Sequence, residues 1–171
     1  MFKKFMPDEV FEGFADITPQ FLEQKKIRAL LLDIDNTLVT YDDPEPTEAV
    51  LEWIKKLCAH GIKLAFVSNN SDPERVTRFN DQLGFYAISR GKKPLPGGFI
   101  KAMDKLGVLP EETASVGDQI FTDVWAAKNA GVYAILVKPI KDKTTPFFKF
   151  KRLLEKPVLK KYRKNRNSKK A

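Results

Sequence analysis

Cysteine and histidine are nearly absent from this 171-residue chain, which has one of each, Cys58 and His60. A single cysteine excludes an intrachain disulfide, and one of each leaves a Cys/His zinc cluster without ligands. Both residues fall near a predicted helix end, where a structural or exposed place is expected rather than a catalytic one. Long apolar runs are also missing. The N-terminal stretch MFKKFMPDEVFEGF is amphipathic but carries acids and a proline early. It has no apolar core of the length that a signal peptide or a membrane span requires. These absences predict a cytoplasmic protein. No internal repeat is present. With 43 % hydrophobic and 30 % charged residues, the chain reads as one soluble globular domain with a real core.

Acidic residues are scarce at one end. Residues 141–171 hold 13 of the 30 Lys and Arg but 2 of the 22 Asp and Glu, a net of +11. Residues 1–140 therefore carry 17 basic and 20 acidic side chains, a net of −3, so the overall +8 belongs to the tail. That asymmetry predicts an anionic partner for the tail. Three parts are expected: an N-terminal helical segment over 1–26, a catalytic domain over 27–140, and a basic amphipathic tail over 141–171.

Along the chain, residues 8–24 read as one or two short helices, with Thr18 as cap and Pro19 at the first helical position. KIRALLLDID reads as a buried strand. TEAVLEWIKKLCAHG has helical spacing between a Thr47 cap and a Gly61 stop. IKLAFVS, FYAIS, TASVGD and VYAILVK read as further strands. DPERVTRFNDQLG, PGGFIKAMDKLG and TDVWAAKNAG read as the helices between them. Trp53, Trp125 and the periodic Leu and Ile positions are core candidates. Alternation of this kind predicts an α/β fold with a parallel sheet. Ligands of such folds bind beyond the carboxyl ends of the strands.

The polar residues at those ends carry the chemistry. The run LLLDIDNTLVT puts Asp33 and Asp35 just after a strand, where two acids so close repel each other unless they serve a purpose. A nucleophilic carboxylate needs a second group to protonate the leaving oxygen, and a turn could bring Asp35 over the reacting group. Ser68 and Asn69 offer a hydroxyl and a backbone N–H to phosphate oxygens. Lys93 adds positive charge, and it is preferred to Lys92 because it directly precedes Pro94. Asp118 and Asp123 in GDQIFTD add carboxylates, although Asp123 could instead be an acid at a helix N-terminus. Asp33 with Asp118 makes an oxygen-rich pocket suited to Mg²⁺.

DIDNT, VSNN, KKP and VGDQIFTD stand in the order of the four motifs of the haloacid dehalogenase superfamily of phosphatases, which the chain resembles over about residues 27–140. The resemblance implies a Rossmann-like parallel sheet with helices on both faces. It implies that Asp33 is a nucleophile forming an aspartyl-phosphate and that Asp35 is the general acid, then the base for water. It also implies Mg²⁺ held by Asp33, Asp118 and the backbone carbonyl of Asp35, with Thr37 and Asp123 in support. Dehalogenases of the superfamily lack the second aspartate, so Asp35 favours phosphoryl transfer.

The intervals of 35 positions from Asp33 to Ser68 and 25 from Ser68 to Lys93 hold no cap domain. An open site of that kind can accept phosphate on something bulky. DITPQFLEQKKIRALLLDIDNTLV looks like the YqeG family of subfamily IIIA, which is similar to phosphatases acting on phosphatidylglycerophosphate. The expected substrate is therefore that lipid or another bulky phosphate at the membrane surface.

In the tail, Phe147, Phe148, Phe150, Leu153, Leu154, Val158 and Leu159 alternate with Lys and Arg. Three readings are open: a solvated disordered end, a segment lying on the anionic inner face of a membrane, and a nucleic-acid or ribosome contact. The competing functions follow from these. One is a soluble phosphatase for nucleotides, sugars or proteins, and the other is a nucleic-acid or ribosome binder using the tail.

Overall fold

The computed structural model describes residues 3–141 and 145–168. Residues 1–2, 142–144 and 169–171, which the expectations for the two ends include, lie outside the described residues, as does the Phe147 side chain. Among the described residues there are six strands: β1 (Glu9–Phe11), β2 (Ala29–Leu32), β3 (Lys63–Val67), β4 (Tyr86–Ile88), β5 (Thr113–Gly117) and β6 (Tyr133–Val137). They form one sheet in the order β1-β6-β5-β2-β3-β4, and every neighbouring pair is parallel. The helices are α1 (Pro19–Gln24), α2 (Glu48–Ala59), α3 (Pro73–Asn80), α4 (Gly97–Leu106), α5 (Trp125–Ala130) and α6 (Pro146–Ser168).

The apolar run of β2 explains the layering. Successive side chains of a strand point to opposite faces, so a strand buried on both faces must be apolar throughout. Leu30 and Leu32 join one core with Trp53 and Leu57 of α2 and Phe79 of α3. Leu31 enters the other core with Phe99 and Met103 of α4 and Ala126 and Ala127 of α5. Helices are fixed at their starts by side chains that accept orphan N–H groups. The Thr18 hydroxyl accepts from Phe21 N–H at 3.2 Å, Thr47 from Val50 N–H at 3.4 Å, and Asp72 from Glu74 N–H at 3.0 Å.

The chain runs from β2 outward through β3 to β4, then returns to place β5 on the other side of β2. This reversal puts the topological switch point between β2 and β5, where α/β sheets form their ligand crevice. Helix α2 with its flanking loops, and α3 with β4, fill the intervals between the motifs, so no cap domain is inserted there.

Three expectations are corrected. Glu9–Phe11 is a strand rather than part of a helix, paired in register with Ile135–Val137. Three residues are too few for a period-2 pattern to show, and the pairing edge of β6 decides the conformation. Residues 120–124 form a π-helical turn ahead of α5, so the helix expected from Thr122 begins as a wider turn. Residues 146–168 of the tail form a 23-residue helix with Pro157 inside it, and Val158 is buried against the domain. The reading of a wholly solvated, disordered tail does not hold for the described residues. No helix among them is long and apolar enough to cross a membrane.

Candidate active site

Asp33 follows β2, Ser68 follows β3 and Asp118 follows β5, so three adjacent strands deliver polar residues to one edge of the sheet. The crevice there is about 370 Å³, and Asp33, Asp35, Ser68, Asn69, Lys93 and Asp123 are all among its lining residues. Lys93 is its electrostatic centre. Its ammonium donates to Asp33 Oδ1 at 2.7 Å and to Asp123 Oδ1 at 2.6 Å. Burial disfavours that ammonium, but the Asp123 and Asp33 carboxylates outweigh the penalty and raise its pKa. Lys92 is exposed, so the KKP pair resolves to Lys93 as the buried residue.

Asp33 is itself under strain of charge. Burial pushes its pKa up to about 7, Lys93 opposes the shift, and Asp123 and Asp118 add to it. The pKa of Asp118 rises to about 6, first through burial and then through Asp123, against the pull of Arg152. Asp33, Asp118 and Asp123 each offer an oxygen, and these lie within 4.8 Å of one another. Asp118 uses its two oxygens differently. Oδ2 accepts from Arg152 and, at 3.4 Å, from Asn36, whereas Oδ1 is buried without a hydrogen-bond partner among the described residues. A buried carboxylate oxygen left bare is costly, and hard oxygen ligands crowded together suit a divalent cation. The donor set therefore fits the metal expected from the sequence.

The surrounding loops fix these groups. Thr37 donates its hydroxyl to Asp33 Oδ2 at 3.1 Å. Asn36 takes a left-handed φ of 65° at the turn, and its Oδ1 accepts from Lys141 N–H at 2.8 Å. Asn69 clamps the Lys93 backbone reciprocally, donating to Lys93 O at 2.9 Å and accepting from Lys93 N–H at 2.8 Å. The Ser68 hydroxyl accepts from Asn70 N–H at 3.0 Å. Asp123 is more than a helix-end acid, because its Oδ2 accepts from Gln119 N–H at 3.0 Å while Oδ1 meets Lys93.

Gly117 makes this possible. A Cβ on it would lie 2.3 Å from Asp123 Cγ, closer than any real contact. Gly117→Ala is expected to lower stability by about 1–3 kcal/mol through overpacking. Denaturant unfolding measures it, and an unchanged midpoint with an unchanged slope would count against this close approach.

Several residues at the site had no signal in the motifs. Arg75 of α3 pairs with Asp35 Oδ1 at 2.9 Å, while Asn70, inside the VSNN motif but given no role there, donates to Asp35 Oδ2 at 2.8 Å. Tyr41 joins the crevice wall from the loop after β2. Helix α6 contributes most. Phe148 and Lys151 line the crevice, and Lys151 donates to Gln119 Oε1 at 2.8 Å. Arg152 donates to the Asp118 backbone carbonyl at 2.7 Å and to Glu155 Oε2 at 2.9 Å. Glu155, 4 % exposed, accepts from Ile120 N–H at 2.9 Å. The only sequence signal was an Arg and a Glu three apart within a run of lysines.

The haloacid dehalogenase-like hydrolase family matches residues 19–131. The chain is 35 % identical over 160 residues to the probable phosphatase YqeG of Bacillus subtilis, covering 93 % of this chain and 92 % of that one. It is 29 % identical over 142 residues to the mitochondrial phosphatidylglycerophosphatase GEP4 of Saccharomyces cerevisiae, covering 75 % and 76 %. Its fold is similar to the cobalt-bound deoxy-D-mannose-octulosonate 8-phosphate phosphatase of Haemophilus influenzae. That match has a TM-score of 0.53 at 20 % identity and covers 81 % of this chain and 90 % of the other. With the family match spanning most of the chain, and a relative this similar along almost its whole length, the chain belongs to the haloacid dehalogenase-like hydrolases and is a phosphatase among them.

Proposed function

We propose that this phosphatase hydrolyses phosphomonoesters through an aspartyl-phosphate on Asp33, with Mg²⁺ as cofactor. We propose as its substrate phosphatidylglycerophosphate, or a similar bulky phosphate presented at the inner face of a membrane. The observation that carries the catalytic reading is the buried Asp33–Lys93–Asp123 array beside the unpartnered Asp118 Oδ1. In the first half-reaction an Asp33 carboxylate oxygen bonds to phosphorus, the bond to the leaving oxygen breaks, and Asp35 gives that oxygen its proton. In the second, Asp35 takes a proton from water, whose oxygen bonds to phosphorus and frees Asp33. Thr37 holds the Asp33 carboxylate, while Arg75 and Asn70 hold Asp35 in place. Lys93, Ser68 and the Asn69 N–H neutralise and orient the phosphate oxygens. Asp33, Asp118 and the Asp35 backbone carbonyl would hold Mg²⁺, which supplies further compensation of charge on the transferring phosphoryl.

The lipid assignment rests on two supports. One is the similarity to a phosphatidylglycerophosphatase. The other is the crevice itself, whose volume of about 370 Å³ accepts a phosphorylated headgroup but leaves acyl chains outside. No cap domain stands in their way.

Phosphate release from phosphatidylglycerophosphate in mixed micelles tests the reading, with nucleotide and sugar phosphates alongside and each run repeated with a chelator. The expected result is metal-dependent turnover with the lipid preferred by about tenfold or more in kcat/KM. Turnover confined to soluble phosphates would keep the catalytic array and remove the lipid. Turnover unaffected by the chelator would remove the metal.

A further inference from the structure

Helix α6 has two faces with different tasks. Its inner face belongs to the site: Arg152 and Glu155 hold Asp118 and the Ile120 N–H, and Phe148 and Lys151 form part of the crevice wall. Its outer face is apolar where a solvated helix would be polar. Phe150, Leu153 and Leu154 are 57 %, 56 % and 45 % exposed, and Pro157 follows on the same side. Positions 150, 153, 154 and 157 fall at helical spacing, so they make one continuous stripe. Lys149, Lys156, Lys160 and Lys164 are exposed along it. The one acid of the helix, Glu155, is turned inward to the domain.

We propose that this outer face of α6 is a docking surface for an anionic phospholipid bilayer, and that docking sets the Asp33 crevice at the level of the headgroups. Apolar side chains between lysines match a membrane interface, where the stripe enters the acyl boundary and the ammonium groups meet lipid phosphates. A second copy of the chain fits poorly, since its own lysine-bordered stripe would bring like charges together. Nucleic acid fits the lysines but leaves Leu153 and Leu154 against a phosphate surface. The crevice lies close by. Phe148 and Leu154 are separated by about 9 Å along the helix axis, from the ordinary rise per residue. Phe148 lies across the helix from the stripe, so docking holds the crevice wall about one helix diameter, ~10 Å, from the acyl boundary, within reach of the headgroups. The role of this placement rests on the phosphatase reading of the site, but the surface itself does not depend on which phosphate is cleaved.

The test uses the full chain and vesicles of phosphatidylglycerol with phosphatidylcholine, sedimented at physiological salt, against vesicles of phosphatidylcholine alone. The expected result is retention by the anionic vesicles only. The double substitution Leu153→Glu/Leu154→Glu should weaken it at least tenfold, with p-nitrophenyl phosphate turnover within twofold of the parent. That soluble turnover reports an intact fold. Lys156→Glu/Lys160→Glu should weaken retention similarly and reduce its salt dependence. Equal retention of parent and variants, or none for the parent, overturns the proposal. So does a dimer in solution that the Leu→Glu pair dissociates, or RNA binding lost in place of vesicle binding. Vesicle binding without turnover of any lipid phosphate would leave the surface standing and remove the lipid-substrate reading. Micellar lipid turnover without vesicle binding would do the reverse.

Discussion

Asp33→Asn is expected to abolish phosphate release while leaving the metal-free fold as stable as the parent, or more so. The amide cannot form the phosphoryl bond, so the rate should fall by roughly 10³-fold or more. The stability argument runs the other way. Burial, with Asp123 and Asp118 nearby, raises the Asp33 pKa to about 7 although Lys93 favours its charge. A carboxyl group whose folded pKa lies above its unfolded value binds more protons in the native state. Stability from this group is therefore present at low pH and lost as pH rises from the ordinary carboxylate range toward 7. Asparagine has no such titration. Thermal melts with a chelator from pH 4 to 8 should show the variant gaining on the parent as pH rises, with little difference at the acid end. A variant that loses both turnover and melting temperature at pH 8 would make Asp33 a structural residue instead. The same reasoning would give a cation held by these carboxylates a second task. It offsets repulsion among carboxylates that the fold has already forced together.

Which parts of this were legible in the sequence follows from how local each signal is. The β2 run ALLL is apolar at every position because both faces are covered, and that pattern is visible without coordinates. The helix starts at Thr18, Thr47 and Asp72 are equally local, since a cap and the N–H that donates to it lie within three residues. Asp33, Ser68, Lys93 and Asp118 could be listed as candidates because each ends a strand or sits in a loop beside one. Nothing local distinguishes β1, a three-residue strand whose conformation is set by pairing with Ile135–Val137 far along the chain. Arg75 was silent for the same reason, since it lies 40 residues from the Asp35 it pairs with. The tail misled most. Its lysines suggest solvent, and its apolar residues suggest a surface, but the partition between faces is decided by packing. Val158 is buried and Leu159 packs on the core, whereas Phe150, Leu153 and Leu154 remain outside.

Arg152→Ala is expected to cut kcat/KM by about 10–100-fold and to raise the Mg²⁺ concentration needed for half-saturation by a similar factor, as loss of an outer partner of a metal ligand does. The cause is the division of labour on Asp118. Arg152 and Asn36 occupy Oδ2, which leaves Oδ1 bare and turned to the carboxylate cluster. Removing the guanidinium frees the carboxylate to rotate and takes away the charge that offsets its neighbours. It also unpairs Glu155, whose other oxygen holds the Ile120 N–H ahead of the π-helical turn that carries Asp123. Arg152→Lys should rescue only part of the loss, because a single ammonium cannot meet the Asp118 carbonyl, its carboxylate and Glu155 together. Truncation before Pro146 should be worse than either substitution, since it removes Phe148 and Lys151 from the crevice as well. Thermal-shift titration with Mg²⁺ reads the affinity without turnover and separates this role from general stabilisation. A tail that merely hangs in solvent predicts identical titrations for all three variants. A helix that finishes the phosphatase site predicts that Mg²⁺ affinity falls in the order parent, Lys, Ala, truncation.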